Sequence, residues 1–374
     1  MLYESLFTLD TMKKTTLYQI QSSQGADFDE CSGWMMPKSY GSLSEEYNTV
    51  RNHVGIVDLS HRGKIRVSGK EHIKFLQGIL SNDVKKLEVG SGQYSTFLTP
   101  KGRMIADMRL CRKSDSVVLD LEPGLNEKVK ELFLKYKISY KVDIEDVTDT
   151  LSLISVHGPD AKKLTEKTLG RQIPDLEEYD FITCDTNGNG LLIANMKRTL
   201  ELGFDIFVSS DGTNKTLWER LIAQGEELYA KPVGLDALET LRIEAGIPRF
   251  GVDMDENTIP IEAGLWNALS FEKGCYVGQE VIARIKWRGH VNWHLIGFKI
   301  DGDDIPKKDS KIIRGEREIG YITSGTFSPK LNQIIALGYI RREFNNPGTR
   351  VTVKTESIKT VSAEVSEVPF SAQR

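Results

Sequence analysis

The residues best suited to chemistry in this sequence gather between Gly234 and Trp293. Lys273-Gly274-Cys275-Tyr276-Val277-Gly278-Gln279-Glu280 sets a cysteine two residues after a lysine, and a nearby ammonium favours the thiolate, the reactive form of the side chain. A buried, inert cysteine is the alternative. Ahead of it, Gly246-Ile247-Pro248-Arg249-Phe250-Gly251-Val252-Asp253-Met254-Asp255 and Pro260-Ile261-Glu262-Ala263-Gly264-Leu265 follow a segment carrying Arg242 and Glu244, and Arg284 and Arg288 come after it. Other chemistries find no footing. Cys31, Cys111, Cys184 and Cys275 form no Cys-x-x-Cys pair and the histidines are scattered, so no metal-ligand spacing is present. No Gly-x-Gly-x-x-Gly follows a strand, which leaves nicotinamide and flavin sites of that kind unsupported.

These residues need a scaffold, and the periodicity supplies one. Leu235, Leu238, Leu241 and Ala245 recur at helical spacing, with Gly246 as a left-handed cap and Pro248 beyond, predicting a helix over 235–245. Residues 64–69 alternate polar and apolar as a half-buried strand, and Ile73, Phe75, Leu76 and Ile79 then recur at helical intervals. The same strand, glycine and helix order returns at 151–164, a faint echo that suggests two related α+β units. Between them, 119–148 reads as strand, a helix with Val129, Leu132, Phe133 and Tyr136 on one face, and a strand around 140–144. From Leu295 onward, short β-rich runs at 295–300, 319–323, 334–340 and 350–353 are separated by glycine, aspartate and proline turns, as in an antiparallel barrel or sandwich.

The length of 374 residues exceeds what one core usually supports, roughly 250 to 300 residues, so two or three packed units are expected. Lys and Arg number 49 against 53 Asp and Glu, a formal charge of −4 with the signs interspersed, and no nucleic acid binding is expected. No apolar run approaches the roughly 20 residues of a membrane span. Met1 to Asp10 has Glu4 and no basic region followed by an apolar core, so no secretion signal is expected, and Met12 is a second candidate start. With scattered cysteines, a cytoplasmic location is the expectation.

RIEAGIPRFGVDMDENTIPIEAGL resembles the glycine-cleavage T-protein pattern RLEAGxxxYGxDxD…PxEAGL, and the continuation KGCYVGQEVIARIKWRG resembles the signature of the YgfZ branch of the same folate-binding superfamily. Gly55 to His61 resembles the family's GxxDxSH segment, Ser81-Asn82-Asp83 its SND turn, and Gly320 to Pro329 the opening of its C-terminal domain. The resemblance implies an α+β, three-sub-domain cloverleaf with a central folate hole and a C-terminal antiparallel β-barrel. The implied domains are a folate-binding aminomethyltransferase-like module over 1–285 (two interleaved α+β sub-domains, 1–63 plus 150–285, and 64–149) and a barrel over 290–374.

The implied ligand is tetrahydrofolate or a 5-substituted derivative. Its amino-pyrimidine edge calls for a buried carboxylate, since paired donors match two carboxylate oxygens. Thr199-Leu200-Glu201-Leu202-Gly203-Phe204-Asp205 resembles the family's TGExGxE segment, which puts Glu201 in that role; a surface glutamate at a strand start is the plain alternative. Asp107, in Gly102-Arg103-Met104-Ile105-Ala106-Asp107, matches an aspartate near the folate's reactive nitrogens, able to orient the folate and offset developing positive charge; the alternative is an aspartate on the exposed face of a strand. Ala106 stands where T-proteins have a second acid, Leu200 where a glycine is usual, and Gln279 where an arginine is usual. Arg242, Glu244, Arg284 and Arg288 serve either the folate tail, whose carboxylates suit guanidinium partners, or helix-surface ion pairs. Trp34, Tyr94 and Trp266 offer rings for stacking on the folate or for core packing. Asp58 and His61 resemble T-protein positions as well.

Three functions follow from the resemblance. One is a YgfZ-type role in which Cys275 and bound tetrahydrofolate support assembly or repair of iron–sulfur enzymes. A second is an aminomethyltransferase moving a one-carbon unit from a lipoyl carrier protein to tetrahydrofolate. The third is a folate-binding docking module without catalysis, which Ala106 and Leu200 permit.

Overall fold

The computed structural model describes residues 12–186, 189–354 and 360–370, so the Met1 to Asp10 stretch lies outside the described residues. Two compact units divide the chain. The first runs through Leu76 and takes in Val84–Tyr94 and Met108–Leu238; the second joins Gln77–Asp83, Ser95–Asp107 and the chain from Glu239 onward.

The chain opens with β1 (Lys13–Lys14), α1 (Tyr18–Ser23), β2 (Asp27–Cys31) and β3 (Trp34–Ser39), whose strands pair in the order β1-β3-β2. Then come α2 (Leu43–Asn52), β4 (Gly55–Asp58), β5 (Gly63–Ser68), α3 (His72–Ile79), β6 (Gly92–Leu98), β7 (Met104–Arg112), β8 (Ser116–Leu121), α4 (Asn126–Lys137) and β9 (Asp143–Asp146). Next are β10 (Leu151–His157), α5 (Ala161–Leu169), β11 (Phe181–Thr186), β12 (Asn189–Asn195), β13 (Gly203–Ser209), α6 (Thr213–Gly225), β14 (Lys231–Pro232), α7 (Leu235–Glu244) and α8 (Gln279–Arg288). Among the described residues one sheet runs β6-β7-β8-β5-β9 and another β11-β12-β13-β10-β4-β14. Ile56, Ile154, Val156, Ile206, Leu164 and Trp218 are all fully buried in one core under the second sheet, the largest favourable term in holding it together.

The faint internal echo is real at the level of backbone. β5 ends at Ser68, Gly69 takes φ +96° and α3 starts at His72; β10 ends at His157, Gly158 takes φ +135° and α5 starts at Ala161. Both glycines also pass close to another chain segment, since a Cβ would lie 2.7 Å from Lys141 O at Gly69 and 2.1 Å from His53 O at Gly158. Only glycine meets both demands. The strand expected at 140–144 begins later, at Asp143, because Ile138 turns the chain with φ +36°.

The C-terminal choice between barrel and sandwich resolves to a closed barrel. β15 (Trp293–Ile300), β16 (Lys311–Arg314), β17 (Arg317–Ser328), β18 (Gln333–Arg341), β19 (Arg350–Lys354) and β20 (Thr360–Ser366) pair in the order β15-β18-β17-β16-β19-β20, and β15 also pairs with β20. Phe298, Ile312, Ile322, Ile340, Val353 and Val365 fill its interior. β16 went unread in the sequence because Lys311-Ile-Ile-Arg is short, and β20 was overlooked although Thr360-Val-Ser-Ala-Glu-Val-Ser alternates polar and apolar as a half-buried strand does. Closure needs them, since an open sheet would leave unpaired edges.

Candidate functional site

In the first unit the expected folate-reading carboxylate, Glu201, sits in the loop ahead of β13. Thr199 Oγ1 accepts the Glu201 N–H at 3.1 Å, and Arg51 Nη1 donates to Glu201 Oε1 at 2.6 Å. Its side chain is 25% exposed, so the carboxylate is half-buried and reachable rather than fully enclosed as expected. Arg51 lies in the last turn of α2, a helix capped by Ser42, whose side chain accepts the Glu45 N–H, with Glu45 and Glu46 in its first turn. Arg51 Nε donates to Tyr47 Oη at 3.1 Å, and its guanidinium lies 5.2 Å from that ring. Gly203 follows because a Cβ there would fall 2.3 Å from His157 Nδ1 on the paired strand.

Beside this lies a buried charge network. Asp120 accepts from Arg62 Nε at 2.7 Å and Arg198 Nη2 at 2.8 Å, with Arg109 at 3.6 Å. Burial alone would raise the Asp120 pKa, but Arg62, Arg198 and Arg109 outweigh it and hold the carboxyl well below the usual range. Arg198 also grips Asp205, which accepts the Ser155 hydroxyl hydrogen. Tyr94 belongs here: it is 8% exposed, its ring is parallel to that of Tyr179 at 6.4 Å, and Arg109 lies 5.6 Å from its centre. Its packing against Tyr179 and Arg109 follows the core alternative. Trp34 is half-buried with Lys13 Nζ 5.1 Å from its ring. Asp58 is structural, accepting from Thr15 Oγ1 at 2.8 Å, Gln21 Nε2 at 3.0 Å and Ser60 N at 2.9 Å; His61 is buried.

In the second unit Asp107 is 4% exposed. The exposed-face alternative is therefore corrected: β7 is buried on both faces from Met104 to Cys111, and the aspartate with it. The RIEAG and VDMD segments are bonded to each other and to hydroxyls of β17. Arg242 donates to Asp253, Glu239, Ser324 Oγ and Ile247 O. Asp253 accepts in addition from Thr323 Oγ1 at 2.5 Å, Ser324 Oγ at 2.6 Å and Arg249 N at 3.1 Å. Arg242 is 5% exposed with both terminal guanidinium nitrogens engaged by these groups, so its ion pairs are buried ones and not the helix-surface pairs of the alternative. Glu244 is likewise buried and accepts from Ser328 Oγ.

Cys275 is exposed, not the buried inert cysteine of the alternative. Lys273 does not serve it as expected: Lys273 Nζ is turned inward onto the carbonyls of Gln77, Leu80 and Asn82. The Ser81-Asn82-Asp83 turn meets the same loop, with Ser81 Oγ donating to Ala268 O at 2.7 Å and Asn82 Nδ2 to Asn267 O at 3.0 Å. Trp266 is 48% exposed, tilted against Phe271 at 6.2 Å. Gly278 takes φ +84° and has a Cβ position only 2.6 Å from Thr99 O, so glycine is required just before α8. Arg284 and Arg288 are exposed on that helix.

Sequence reading missed Arg51 and the Arg62, Arg109, Arg198, Asp120 and Asp205 network. These partners lie far apart along the chain, and an arginine in a last helical turn carries no distinguishing local signal.

An α+β chain of this topology ending in a six-stranded antiparallel barrel, with the RIEAG and SND segments held by their own hydrogen bonds, defines a T-protein-like class. Residues 17–273 match the GCVT N-terminal domain and residues 294–371 the glycine cleavage T-protein C-terminal barrel domain; the chain belongs to the glycine cleavage T-protein family. It is 33% identical over 360 residues to an aminomethyltransferase of Halothermothrix orenii, covering 96% of this chain and 100% of that one. It is also 33% identical to an aminomethyltransferase of Caldanaerobacter subterraneus, covering 92% of each. The crystal structure of the glycine cleavage system aminomethyltransferase T from Bartonella henselae matches with a TM-score of 0.88 at 26% identity, over 97% of this chain and 99% of that one. Among the described residues no helix is long and apolar enough to cross a membrane.

Proposed function

We propose that the chain is a tetrahydrofolate-dependent aminomethyltransferase. In that reaction the methylene of an aminomethyl group carried on a lipoyl protein loses its bonds to sulfur and nitrogen and gains bonds to two folate nitrogens, with thiol and ammonia as the other products. The single observation that carries the reading is Glu201: a half-buried carboxylate in the family's TGExGxE position, with one oxygen held by Arg51 and its side chain still reachable. Two such oxygens match the paired donors of an amino-pyrimidine edge. The resemblance assigns Asp107, buried within β7, the orienting role and the exposed Arg288 the tail carboxylates. The relatives' name supports the transferase over the other readings.

A second reading keeps one specific observation in its favour. Cys275 is exposed within KGCYVGQE, the segment that resembles the YgfZ signature, and an accessible thiol is what a role in iron–sulfur enzyme assembly or repair would use. Calorimetric titration with 5-formyltetrahydrofolate, wild type against Glu201→Gln, tests the folate site shared by both. Saturable binding weakened by the variant supports it; absence of binding moves the non-catalytic docking reading forward. Ammonia release with an aminomethylated carrier protein and tetrahydrofolate, in wild type and Cys275→Ala, then separates the two: the transferase reading expects equal activity.

A further inference from the structure

Lys273 is 7% exposed, and its ammonium meets three main-chain oxygens, those of Gln77 and Leu80 at 2.7 Å and of Asn82 at 2.9 Å. Gln77 lies in the last turn of α3 and Leu80 just past its end. Carbonyls there lack intrahelical donors, and the helix dipole favours a cation. An ammonium has three N–H donors and no acceptor, so three carbonyls saturate it. The arrangement is that of a carbonyl cage around a monovalent cation.

We propose that Lys273 is a positioning residue: a tethered cation whose carbonyl cage fixes the 266–280 loop, and with it Trp266, the Cys275 thiol and the start of α8, in one geometry. The loop is joined to the same turn by Ser81, Asn82 and the Ser270 N–H, which donates to Ser81 O at 3.0 Å. Remove the ammonium and three carbonyl dipoles face one another with no donor between them, a cost the loop avoids by moving. Burial lowers the ammonium pKa to about 8 against the field of Asp83, in keeping with a cation held by dipoles more than by a carboxylate. The inference does not rest on the folate reading, because loop geometry is read at Cys275.

The test uses the full chain in a Cys31→Ser background, Cys111 and Cys184 being buried. The rate of Cys275 alkylation is measured for wild type, Lys273→Met and Lys273→Ala, with added methylammonium and with tetramethylammonium as the salt control. Both variants are expected to change the rate by about tenfold, the scale of a lost charge-assisted hydrogen-bond set. Methylammonium restores the Lys273→Ala rate saturably, and tetramethylammonium, having no N–H, does not. A wild-type rate in Lys273→Met, or a Lys273→Ala change indifferent to methylammonium, overturns the proposal. Should Lys273→Ala be recovered only unfolded, its refolding yield with methylammonium decides in the same way: a rise supports the cage and no rise overturns it.

Discussion

Arg51 Nη1 and Glu201 Oε1 lie 2.6 Å apart and join the end of α2 to the loop before β13. Arg51 is itself braced by Tyr47, so the carboxylate is aimed by a side chain with little freedom of its own. Arg51→Met is expected to keep the fold and to weaken 5-formyltetrahydrofolate binding by about tenfold, the scale of one charge-assisted hydrogen bond. Arg51→Lys recovers part of it, since an ammonium keeps the charge and loses the planar fork. Unchanged calorimetric affinity in Arg51→Met would remove Arg51 from the site.

Asp107 sits on a strand buried on both sides, which makes Asp107→Asn, equal in volume, the informative change. Transfer activity with an aminomethylated carrier is expected to fall by about 10²-fold or more, as for loss of an electrostatic group acting on developing charge, while the folate dissociation constant changes little. A parallel fall in affinity and turnover would instead mark Asp107 as a binding residue only.

Much of the scaffold was legible because its signals are local. The 235–245 periodicity and its glycine cap appear as α7 and Gly246 with φ +69°, and the two strand–glycine–helix segments as β5–α3 and β10–α5. The site was less legible, for a physical reason. The sequence leaves Arg242 between the folate tail and an ion pair and sets Lys273 beside a thiol, yet burial commits Arg242 to Asp253 and Lys273 to three carbonyls. Residue type sets what a group can bond; only the fold decides what it meets first.

The Arg242 and Asp253 side chains are 7% and 0% exposed, and breaking one half of a buried pair strands the other. Asp253→Ala is expected to cost about 3–5 kcal/mol of stability, read from urea midpoints at an unchanged slope. Glu239→Gln touches the same arginine from a side chain 30% exposed and is expected to cost about 1 kcal/mol or less. Equal losses would mean that Arg242 is held by the surface acid and that Asp253 serves only the hydroxyls of Thr323 and Ser324.

His157 is fully buried, with Nε2 2.7 Å from Ser155 Oγ. The Ser155 hydroxyl hydrogen goes to Asp205, so His157 Nε2 must be the donor and Nδ1 carries the lone pair, against Gly203. Protonating Nδ1 would place a charge with no acceptor in the core, and burial accordingly lowers the pKa to about 4, with Arg198 acting in the same direction and Asp205 opposing. In the unfolded chain the group titrates near its ordinary value of about 6.5. Between these two values the unfolded state binds more protons than the native state, so stability falls as pH drops from about 6.5 to about 4 and this contribution is flat below. The loss is on the order of 3 kcal/mol. His157→Gln keeps a donor for Ser155 and cannot titrate. Its urea midpoint at pH 7 is expected to be lower than that of wild type, but the difference between the two should shrink steadily from pH 6.5 to pH 4. Parallel curves across that range would show that His157 is already charged in the folded protein, with Asp205 outweighing its burial.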